Sequence, residues 1–280
     1  MKFLKKILKK VVIIFLRTFS RTKIGSLIFE TNIEDVMERE KCIIHNNCKM
    51  NFAVPNKLNR FRIDTFTIKE PETLEWIDSL PNNSTLWDIG ANIGLYSVYA
   101  AKARNCKVFA FEPSIFNLES LARNIYLNCM QEKITIVPIA LSDKIGFNKM
   151  RFTTTQWGGA LSSFDKNVGW DGNPINDIFS YKTFGCSMDQ AISILKLPQP
   201  DYIKMDVDGI EHFILGGGKN VLGKVKSILL EINDDFKEQS EESKIYLVNS
   251  GFKFHRKLRS EEWYDSTTEV ANGYNQIWVK

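Results

Sequence analysis

Two acidic residues in this sequence close apolar segments that precede turns. Asp88 ends the segment LWD and is followed by a turn built on Gly90, Asn92 and Gly94; Glu112 ends VFAFE further on. In open parallel sheets, ligands bind beyond the carboxyl ends of the strands, and an acid after the second strand accepts hydrogen bonds from ribose hydroxyls. The glycines allow close approach of the backbone to a ligand. The spacing predicts a site for an adenosine cofactor.

A dinucleotide is the first alternative for this turn. Its fingerprint needs glycines at positions 90, 92 and 95, where this chain has Gly90, Asn92 and Leu95. The second glycine admits the pyrophosphate and the third lets the helix pack closely on the strand. The sequence therefore disfavours a nicotinamide-dependent dehydrogenase.

A second group of titratable residues follows in KMDVDGIEH and consists of Asp206, Asp208, Glu211 and His212. Carboxylates that lie close together raise the proton affinity of at least one of them, and histidine titrates nearest neutral pH. We predict a catalytic general base in this group, with Asp206 and His212 favoured. Three structural roles are the alternatives: a His212 paired with a carboxylate, an Asp206 that holds the cofactor ammonium, and a Glu211 that hydrogen-bonds a sugar hydroxyl.

Oxygen ligands also end two strands that we expect to be neighbours. Asp206, Glu231 and Asn233 would suit Mg²⁺ or Ca²⁺. The sequence does not show how these oxygens are arranged around an ion. We predict no metal, with a divalent ion at these three residues as the alternative.

The five cysteines are an odd number with no C-x-x-C pair. This count argues against a disulfide framework and for a reducing compartment. Cys42, His45 and Cys48 form C-x-x-H-x-x-C, but a structural zinc site needs four ligands. We predict reduced cysteines without zinc.

The net charge of +4 comes from the N-terminus. The first 24 residues hold eight lysines and arginines and no acid, which leaves 29 bases against 33 acids in the rest of the chain. A nucleic-acid groove needs positive charge spread over the folded domain. We therefore expect no nucleic-acid partner.

Residues 1–24 also repeat with helical spacing, because apolar side chains from Phe3 to Phe19 form one face that lysines border. Such a helix suits an anionic membrane surface. The uninterrupted apolar run, 11–16, is too short for a signal peptide or a membrane span. We predict a cytoplasmic protein, peripheral on the inner face of the membrane; packing of this face on its own domain or on a partner chain is the alternative. The sequence does not predict the oligomeric state.

Beyond residue 81, apolar strands alternate with helices. The predicted strands cover 85–89, 107–111, 134–140, 202–205, 227–232, 250–255 and 275–279, and the predicted helices cover 95–104, 116–129 and 241–248. Strands separated by helices form a parallel sheet covered on both faces, and a final pair without a helix between its members forms an antiparallel edge. The prediction is one doubly wound α/β domain over 81–280.

Two regions depart from this alternation. Residues 25–80 form an N-terminal cap region, in which we expect a hairpin around 51–59 and a helix that starts near Pro71. Residues 144–184 are an insertion that contains Trp157, Trp170 and Tyr181. A long insertion without regular structure usually covers a site, and flat aromatic rings can stack on sugars. We predict a substrate cover; a surface excursion with its own small core is the alternative.

Several motifs in this chain occur in a characteristic order: EPETLEW, DIGANIG, FAFEP, RNIYLN, ALSD and KMDVDGIEHFILGG. Together they resemble the FkbM family of S-adenosylmethionine-dependent O-methyltransferases, from about residue 66 to the C-terminus. The resemblance implies the class I methyltransferase fold, which is Rossmann-like, and S-adenosylmethionine as cofactor.

The resemblance also implies roles for individual residues. It places Gly90, Asn92 and Gly94 against the amino acid part of the cofactor, Glu112 on the ribose, Ser142 and Asp143 beside the adenine, and Asp88 on the turn or the methionine ammonium. One departure is Asp208, where the family usually has glutamate. The carboxylate is kept but is one methylene shorter.

These observations predict an O-methyltransferase that acts on a hydroxyl of a glycan, in a surface polysaccharide of bacterial type or a lipid-linked saccharide. The reaction follows from the resemblance; the basic N-terminus and the aromatic insertion suggest the acceptor. The alternatives are methylation of a small secondary metabolite and a non-catalytic, membrane-associated binding subunit with the same fold.

Overall fold

The computed structural model describes residues 2–260 and 273–280. Its helices are α1 (Lys2–Phe19), α2 (Lys23–Glu38), α3 (Lys57–Asp64), α4 (Pro71–Ser79), α5 (Leu95–Arg104), α6 (Ile115–Leu127), α7 (Met188–Ser193), α8 (Glu211–Gly216), α9 (Lys219–Leu222) and α10 (Lys237–Asn249). Its strands are β1 (Glu40–His45), β2 (Cys48–Ala53), β3 (Thr85–Ile89), β4 (Lys107–Phe111), β5 (Ile134–Val137), β6 (Ala140–Leu141), β7 (Gly146–Phe152), β8 (Ser163–Phe164), β9 (Phe179–Cys186), β10 (Tyr202–Met205), β11 (Ser227–Asn233), β12 (Lys253–Leu258) and β13 (Gly273–Val279).

The main sheet has seven strands in the order β12-β13-β11-β10-β3-β4-β5. The five strands from β5 to β11 in this order are parallel, whereas β13 runs antiparallel to both of its neighbours. The order reverses at β3, because β4 lies on one side of it and β10 on the other. Such a switch point opens a crevice at the carboxyl ends of the strands. The predicted class I methyltransferase fold and its antiparallel C-terminal pair are confirmed.

Apolar cores cover both faces of this sheet. Successive residues of a strand point to opposite faces, so Leu86 joins the core with α4, α5 and α6, and Trp87 joins the core with α7 to α10. The alternation continues in β4, where Val108 and Phe109 enter different cores. These two cores hold the strand ends in fixed positions.

The predicted hairpin around 51–59 is wrong. The hairpin of this region is β1–β2, and its turn lies at Asn46 and Asn47, which both have positive φ. Asparagine tolerates this left-handed conformation better than most residues. Residues 57–64 form α3 instead, because the Asn56 side chain accepts a hydrogen bond from the amide of Asn59 and caps the helix.

The insertion at 144–184 contains regular structure, contrary to expectation. Strand β7 pairs antiparallel with β9 over its whole length, and with β6 and β8 they form a second, four-stranded sheet. Phe152 and Phe164 of this sheet are buried in the core beside α7 to α10. The remaining residues of the insertion form a long connection that crosses the crevice of the main sheet.

Helices α1 and α2 expose apolar side chains. Leu8, Phe15 and Leu27 are each more than half exposed, so these side chains do not pack on the domain. Within the described residues, no helix is long and apolar enough to cross a lipid bilayer. The predicted contact of this region with a membrane surface stays a prediction.

Candidate functional site

The glycine turn after β3 brings two strand ends together. Gly90 has φ +84°, and a Cβ on it would lie 1.8 Å from the carbonyl oxygen of Asp206. Only glycine fits such an approach. Gly94 has φ +82°, and a Cβ on it would lie 2.4 Å from Cδ1 of Leu121 in α6. Close packing on α6 explains this glycine; Gly94 lines neither of the two cavities described below, and its contact with the cofactor stays a prediction.

Asp88 lies beneath this turn. Its Oδ2 accepts a hydrogen bond of 2.5 Å from Ser97, in the first turn of α5, and its Oδ1 lies 3.8 Å from Nζ of Lys204. Its side chain is 1% exposed and lines neither cavity. Of the two predicted roles, the geometry supports orientation of the turn.

Glu112 occupies the predicted position beyond β4. Its Oε2 accepts a hydrogen bond of 2.8 Å from the Asn92 amide, and its Oε1 accepts one of 2.7 Å from the Ser114 amide. Burial raises the pKa of Glu112 to about 7, although these hydrogen bonds oppose the shift. Two backbone amides therefore fix the carboxylate, and each oxygen retains a lone pair for a ligand hydroxyl.

Glu112 borders a narrow slot beside the carboxyl ends of β3 and β4. Apolar residues form most of its walls: Ile89, Phe111, Ile139, Ala140, Leu141, Met150, Phe164, Ile210 and Ile214. Ser142 and Asp143 lie immediately after these wall residues but do not line the slot. The Ser142 hydroxyl donates to Asp143 at 3.0 Å. The slot can hold a flat, apolar ring next to a carboxylate.

A wide cavity of about 410 Å³ adjoins the slot. The two spaces share lining residues from the glycine turn, the insertion and the end of β10: Gly90, Asn92, Ala160, Asp206 and Asp208. Cap helix α3 adds Phe61 and Arg62 to the walls of the wide cavity, and the insertion adds Trp170. A ligand that extends out of the slot therefore enters the wide cavity beside Asp206.

Three carboxylates face one another in the wide cavity. Asp206, Asp208 and Glu231 each offer an oxygen atom within 4.8 Å of the other two. Burial and the nearby Asp206 raise the pKa of Asp208 to about 6, and the same two causes raise the pKa of Glu231. The Asp208 carboxylate also accepts a hydrogen bond of 2.7 Å from the amide of Leu161 in the insertion.

These carboxylates differ from the metal set considered in the sequence. Asn233 is occupied, because its side chain donates to the carbonyl of Trp170 and accepts from the Asp235 amide. Asp208 takes its place near Asp206 and Glu231. Oxygen ligands of this kind fit Mg²⁺, but Nζ of Lys204 lies 3.5 Å from Asp206 and supplies positive charge there. The absence of a metal requirement stays a prediction.

Glu211 stabilises the turn between β10 and α8. Its carboxylate accepts hydrogen bonds of 3.1 Å from the amides of Val207 and Gly209, and another from the side chain of Gln239. Burial raises the pKa of Glu211 to about 7. Glu211 lines the wide cavity, but its oxygens are held by its own turn. This geometry supports a structural role.

The prediction of His212 as a base needs correction. Its side chain is fully buried against Phe213 and Phe236, and it lines neither cavity. Neither ring nitrogen has a hydrogen-bond partner among the described residues. Burial lowers the pKa of His212 to about 4, so the ring is neutral at physiological pH. His212 lies on the first turn of α8 with its ring in the core. The residues before this helix, Asp206 and Asp208, line the cavities.

Residues 157–161 of the insertion, which we call the strap, cross the junction of the two cavities. Side chains from three other elements hold its carbonyl groups. Asn56 donates to the Trp157 carbonyl at 2.9 Å, Arg62 to Gly158 at 2.6 Å, Asn92 to Gly159 at 2.8 Å and Asn117 to Gly159 at 3.1 Å. The strap is therefore held at the junction from three sides, and the predicted role of the insertion as a substrate cover stays a prediction.

Only one of the three predicted aromatic residues lines the wide cavity. Trp170 does so, whereas the ring of Trp157 lines neither space. The Tyr181 hydroxyl donates to the carbonyl of Pro113 at 2.9 Å and accepts from the Ile115 amide. It ties the second sheet to the start of α6, so Tyr181 is not placed to stack on a substrate.

The sequence analysis missed four residues at the inner end of the wide cavity: Lys69, Glu70, Tyr96 and Lys204. Lys204 is 2% exposed between Asp88 and Asp206, and its Nζ lies 5.1 Å from the centre of the Tyr96 ring. The sequence does carry one signal for this group, because Lys204 lies inside an otherwise apolar strand. Buried lysines are rare unless they are paired with acids.

Comparison with known proteins gives a family and several relatives. The sequence profile described as the methyltransferase FkbM domain matches residues 88–261. Hexuronic acid methyltransferase AglP of Haloferax volcanii is 26% identical over 165 residues, 56% of this chain and 59% of that protein. Methyltransferase sdnD of Sordaria araneosa is 38% identical over 71 residues, 25% of this chain and 27% of that protein. The chain thus spans less than two thirds of the curated relatives described here.

Two solved structures are similar at low sequence identity. The methyltransferase FkbM from Methylobacillus flagellatus KT is 16% identical with a TM-score of 0.47, over 72% of this chain and 44% of that chain. The precorrin-6y C5,15-methyltransferase from Geobacter metallireducens GS-15 is 15% identical with a TM-score of 0.44, over 75% of this chain and 86% of that chain.

Proposed function

Because the chain belongs to the FkbM methyltransferase family, we propose that it is an S-adenosylmethionine-dependent O-methyltransferase whose acceptor is a glycan hydroxyl. One observation carries this proposal: the slot beside Glu112 opens into the wide cavity beside Asp206 and Asp208. A cofactor with its adenosine in the slot would present its sulfur at this junction. The acceptor would then approach through the wide cavity.

The binding residues follow from this placement. The apolar walls of the slot would enclose adenine, and Glu112 would accept hydrogen bonds from the ribose hydroxyls. The backbone of the glycine turn, between Gly90 and Asn92, would lie against the chain that leads to sulfur. When bound, the cofactor supplies a methyl group on a positively charged sulfur.

The chain's own residues would align the acceptor and remove its proton. Asp208 lines both cavities, and its raised pKa of about 6 suits a base that works near neutral pH. Asp206 beside it would orient the acceptor hydroxyl. A positioned base typically contributes ~10²- to 10⁴-fold, and orientation can supply roughly 7 to 11 kcal/mol. The strap would shield the junction from water.

Two observations support a sugar acceptor. Trp170 and Phe61 give the wide cavity flat aromatic faces among polar side chains, a combination that suits the apolar and hydroxylated faces of a sugar. A relative also bears the name hexuronic acid methyltransferase. The exposed apolar residues of α1, with the basic residues around them, favour an acceptor at a membrane surface, such as a lipid-linked saccharide or a surface polysaccharide.

Binding and transfer assays test the proposal. We expect S-adenosylmethionine to bind in calorimetry, and Glu112→Ala to weaken binding about 10- to 100-fold, since hydrogen bonds to a charged group are lost. Glu132→Ala, at an exposed position, is the control. No binding to the wild type, or equal affinities of the two variants, would contradict the proposed cofactor site.

Labelled methyl groups identify the acceptor. We expect transfer from the cofactor to a glycan fraction of the source cells. Transfer only to a small-molecule extract would support the secondary-metabolite alternative. Cofactor binding without transfer to either fraction would support a non-catalytic binding subunit.

Liposome flotation tests the N-terminal contact. We expect the full chain, but not a form lacking residues 1–24, to float with anionic vesicles. Equal flotation of both forms would contradict membrane binding by this segment.

A further inference from the structure

We propose that the ion pair Lys69–Glu70 binds the amino acid end of the cofactor, with Glu70 facing its ammonium and Lys69 its carboxylate. The inference rests on the proposed function, because it assumes that adenosine occupies the slot. It replaces Asp88 and Asp206, the two residues that the sequence analysis considers for the ammonium.

The path of the ligand leads to this pair. Beyond the junction at Gly90 and Asn92, a ligand from the slot enters the wide cavity next to the first turn of α5, where Leu95 and Tyr96 form part of the wall. The Tyr96 side chain lies beside Glu70 and lowers the pKa of its carboxyl. Glu70 thus neighbours the helix that begins at the glycine turn.

Asp88 cannot serve this end of the ligand. Ser97 hydrogen-bonds one of its oxygens, Nζ of Lys204 lies 3.8 Å from the other, and its side chain lines neither cavity. An ammonium group could reach it only by displacing Lys204. The ammonium of a bound amino acid therefore needs a different carboxylate.

Lys69 and Glu70 are charged and fixed in place. Nζ of Lys69 lies 2.7 Å from Oε1 of Glu70, and both residues line the wide cavity. Although burial favours the neutral form, Lys69 and Lys204 lower the pKa of Glu70 to about 2. Glu70 in turn raises the pKa of Lys69. Opposite charges at this separation match the ammonium and the carboxylate of an amino acid. A bound amino acid can therefore place its ammonium against Glu70 and its carboxylate against Lys69.

The other carboxylates of the cavity suit this task less well. Burial and Asp206 raise the pKa values of Asp208 and Glu231, so these groups hold a proton more readily than Glu70 does. Their carboxylates also form one cluster with Asp206, the residue at the junction where the sulfur would lie. Glu70, in contrast, is a buried carboxylate that stays ionised. A buried charge needs a partner of opposite sign, and Glu70 already lies beside cations.

Ligands that differ only in the amino acid end test the assignment. S-adenosylhomocysteine has this end intact, its decarboxylated analogue lacks the carboxylate, and 5′-methylthioadenosine lacks both charges. We expect Glu70→Gln to weaken S-adenosylhomocysteine about 10- to 100-fold in calorimetry and to leave 5′-methylthioadenosine within about 3-fold. We expect Lys69→Met to weaken S-adenosylhomocysteine but not the decarboxylated analogue.

Glu75→Gln is the matched control, because Glu75 lies on α4, the helix that follows this pair, with a side chain 64% exposed. We expect it to bind all three ligands like the wild type. An unchanged affinity ratio in both Glu70→Gln and Lys69→Met would overturn the assignment, and so would equal weakening of every ligand, which would show a structural role. If the wild type binds 5′-methylthioadenosine, any such failure concerns this pair alone. If the wild type binds none of the ligands, the proposed function fails as well.

Discussion

The slot and the wide cavity place acids at the same sheet edge in different ways. In the slot, two backbone amides hold the carboxylate of Glu112 beside apolar walls. In the wide cavity, charged side chains come from the cap region, from β10 and the turn after it, and from β11, and lysines pair with two of the acids. Backbone amides of two turns fix the acid of the slot, whereas side chains from separate elements fix the acids of the wide cavity.

The pKa values show the consequence of this difference. Burial raises the pKa of Glu112 to about 7, because no cation offsets the cost of desolvation. Glu70 is also buried, yet Lys69 and Lys204 bring its pKa to about 2. The neighbours of a buried acid, more than its burial, decide its charge.

The largest effect is expected from a substitution at Gly90, which lines both cavities. In Gly90→Ala, the new Cβ would meet the Asp206 carbonyl, and the left-handed backbone would add strain. We expect the free energy of unfolding to fall by about 2 to 5 kcal/mol, with loss of cofactor binding. Chemical denaturation and calorimetry measure these losses.

Gly251→Ala is the control for backbone strain. Gly251 has φ +87°, but a Cβ on it would meet no atom within 4 Å. We expect a cost of only about 1 to 2 kcal/mol and normal cofactor binding. Similar losses of stability in the two variants would show that backbone strain alone, and not the close contact between the ends of β3 and β10, accounts for the need for glycine at position 90.

A second change affects only the chemistry of the wide cavity. We expect Asp208→Asn to lower kcat about 10²- to 10⁴-fold and to keep cofactor affinity within a few-fold, because the base is lost while asparagine tolerates the positive φ. Asp208→Glu restores the residue usual in the family and should retain most of the activity. A loss of affinity as large as the loss of rate would place Asp208 with the cofactor instead.

The pH dependence of stability sharpens the comparison, because each cavity has a carboxyl with a raised pKa. Glu112 and Glu211 have pKa values near 7 in the folded chain against an ordinary 4.5, so the folded state holds more protons between these values. Stability should therefore fall as the pH rises through this window. His212, with its lowered pKa, acts in the opposite sense below about 6.5, but two glutamates outweigh it.

Thermal unfolding without cofactor tests this expectation. We expect a lower midpoint at pH 8 than at pH 6, and a smaller difference in Glu211→Gln, which removes the contribution of Glu211. A midpoint that rises from pH 6 to pH 8 would contradict the assignment of the buried acids.

The smallest expected effect concerns the support of the slot. Tyr181→Phe removes hydrogen bonds to Pro113 and Ile115, and we expect a loss of about 1 kcal/mol in unfolding free energy with an unchanged KM for the acceptor. Trp170→Ala should instead raise the acceptor KM. A raised acceptor KM in Tyr181→Phe would instead indicate that Tyr181 contacts the substrate.

Much of the fold could be predicted from local patterns. The strands that end at Asp88, Glu112 and Asp206 were predicted within a residue or two, because apolar runs and turn residues are local signals. The hairpin of the cap region and the second sheet of the insertion were missed. Their strands are short or carry mixed side chains, so pairing with distant residues stabilises them.

The site divides in the same way. By itself, the sequence determined the sheet, the glycine turn and the acid that follows β4, because backbone conformation and chain order fix these features. Only the tertiary structure decided that Asp88 is closed off, that His212 points into the core, and that Lys69 and Glu70 face the cavity. These outcomes depend on which side chains from separate elements meet, and burial and neighbouring charge then set the chemistry of each group.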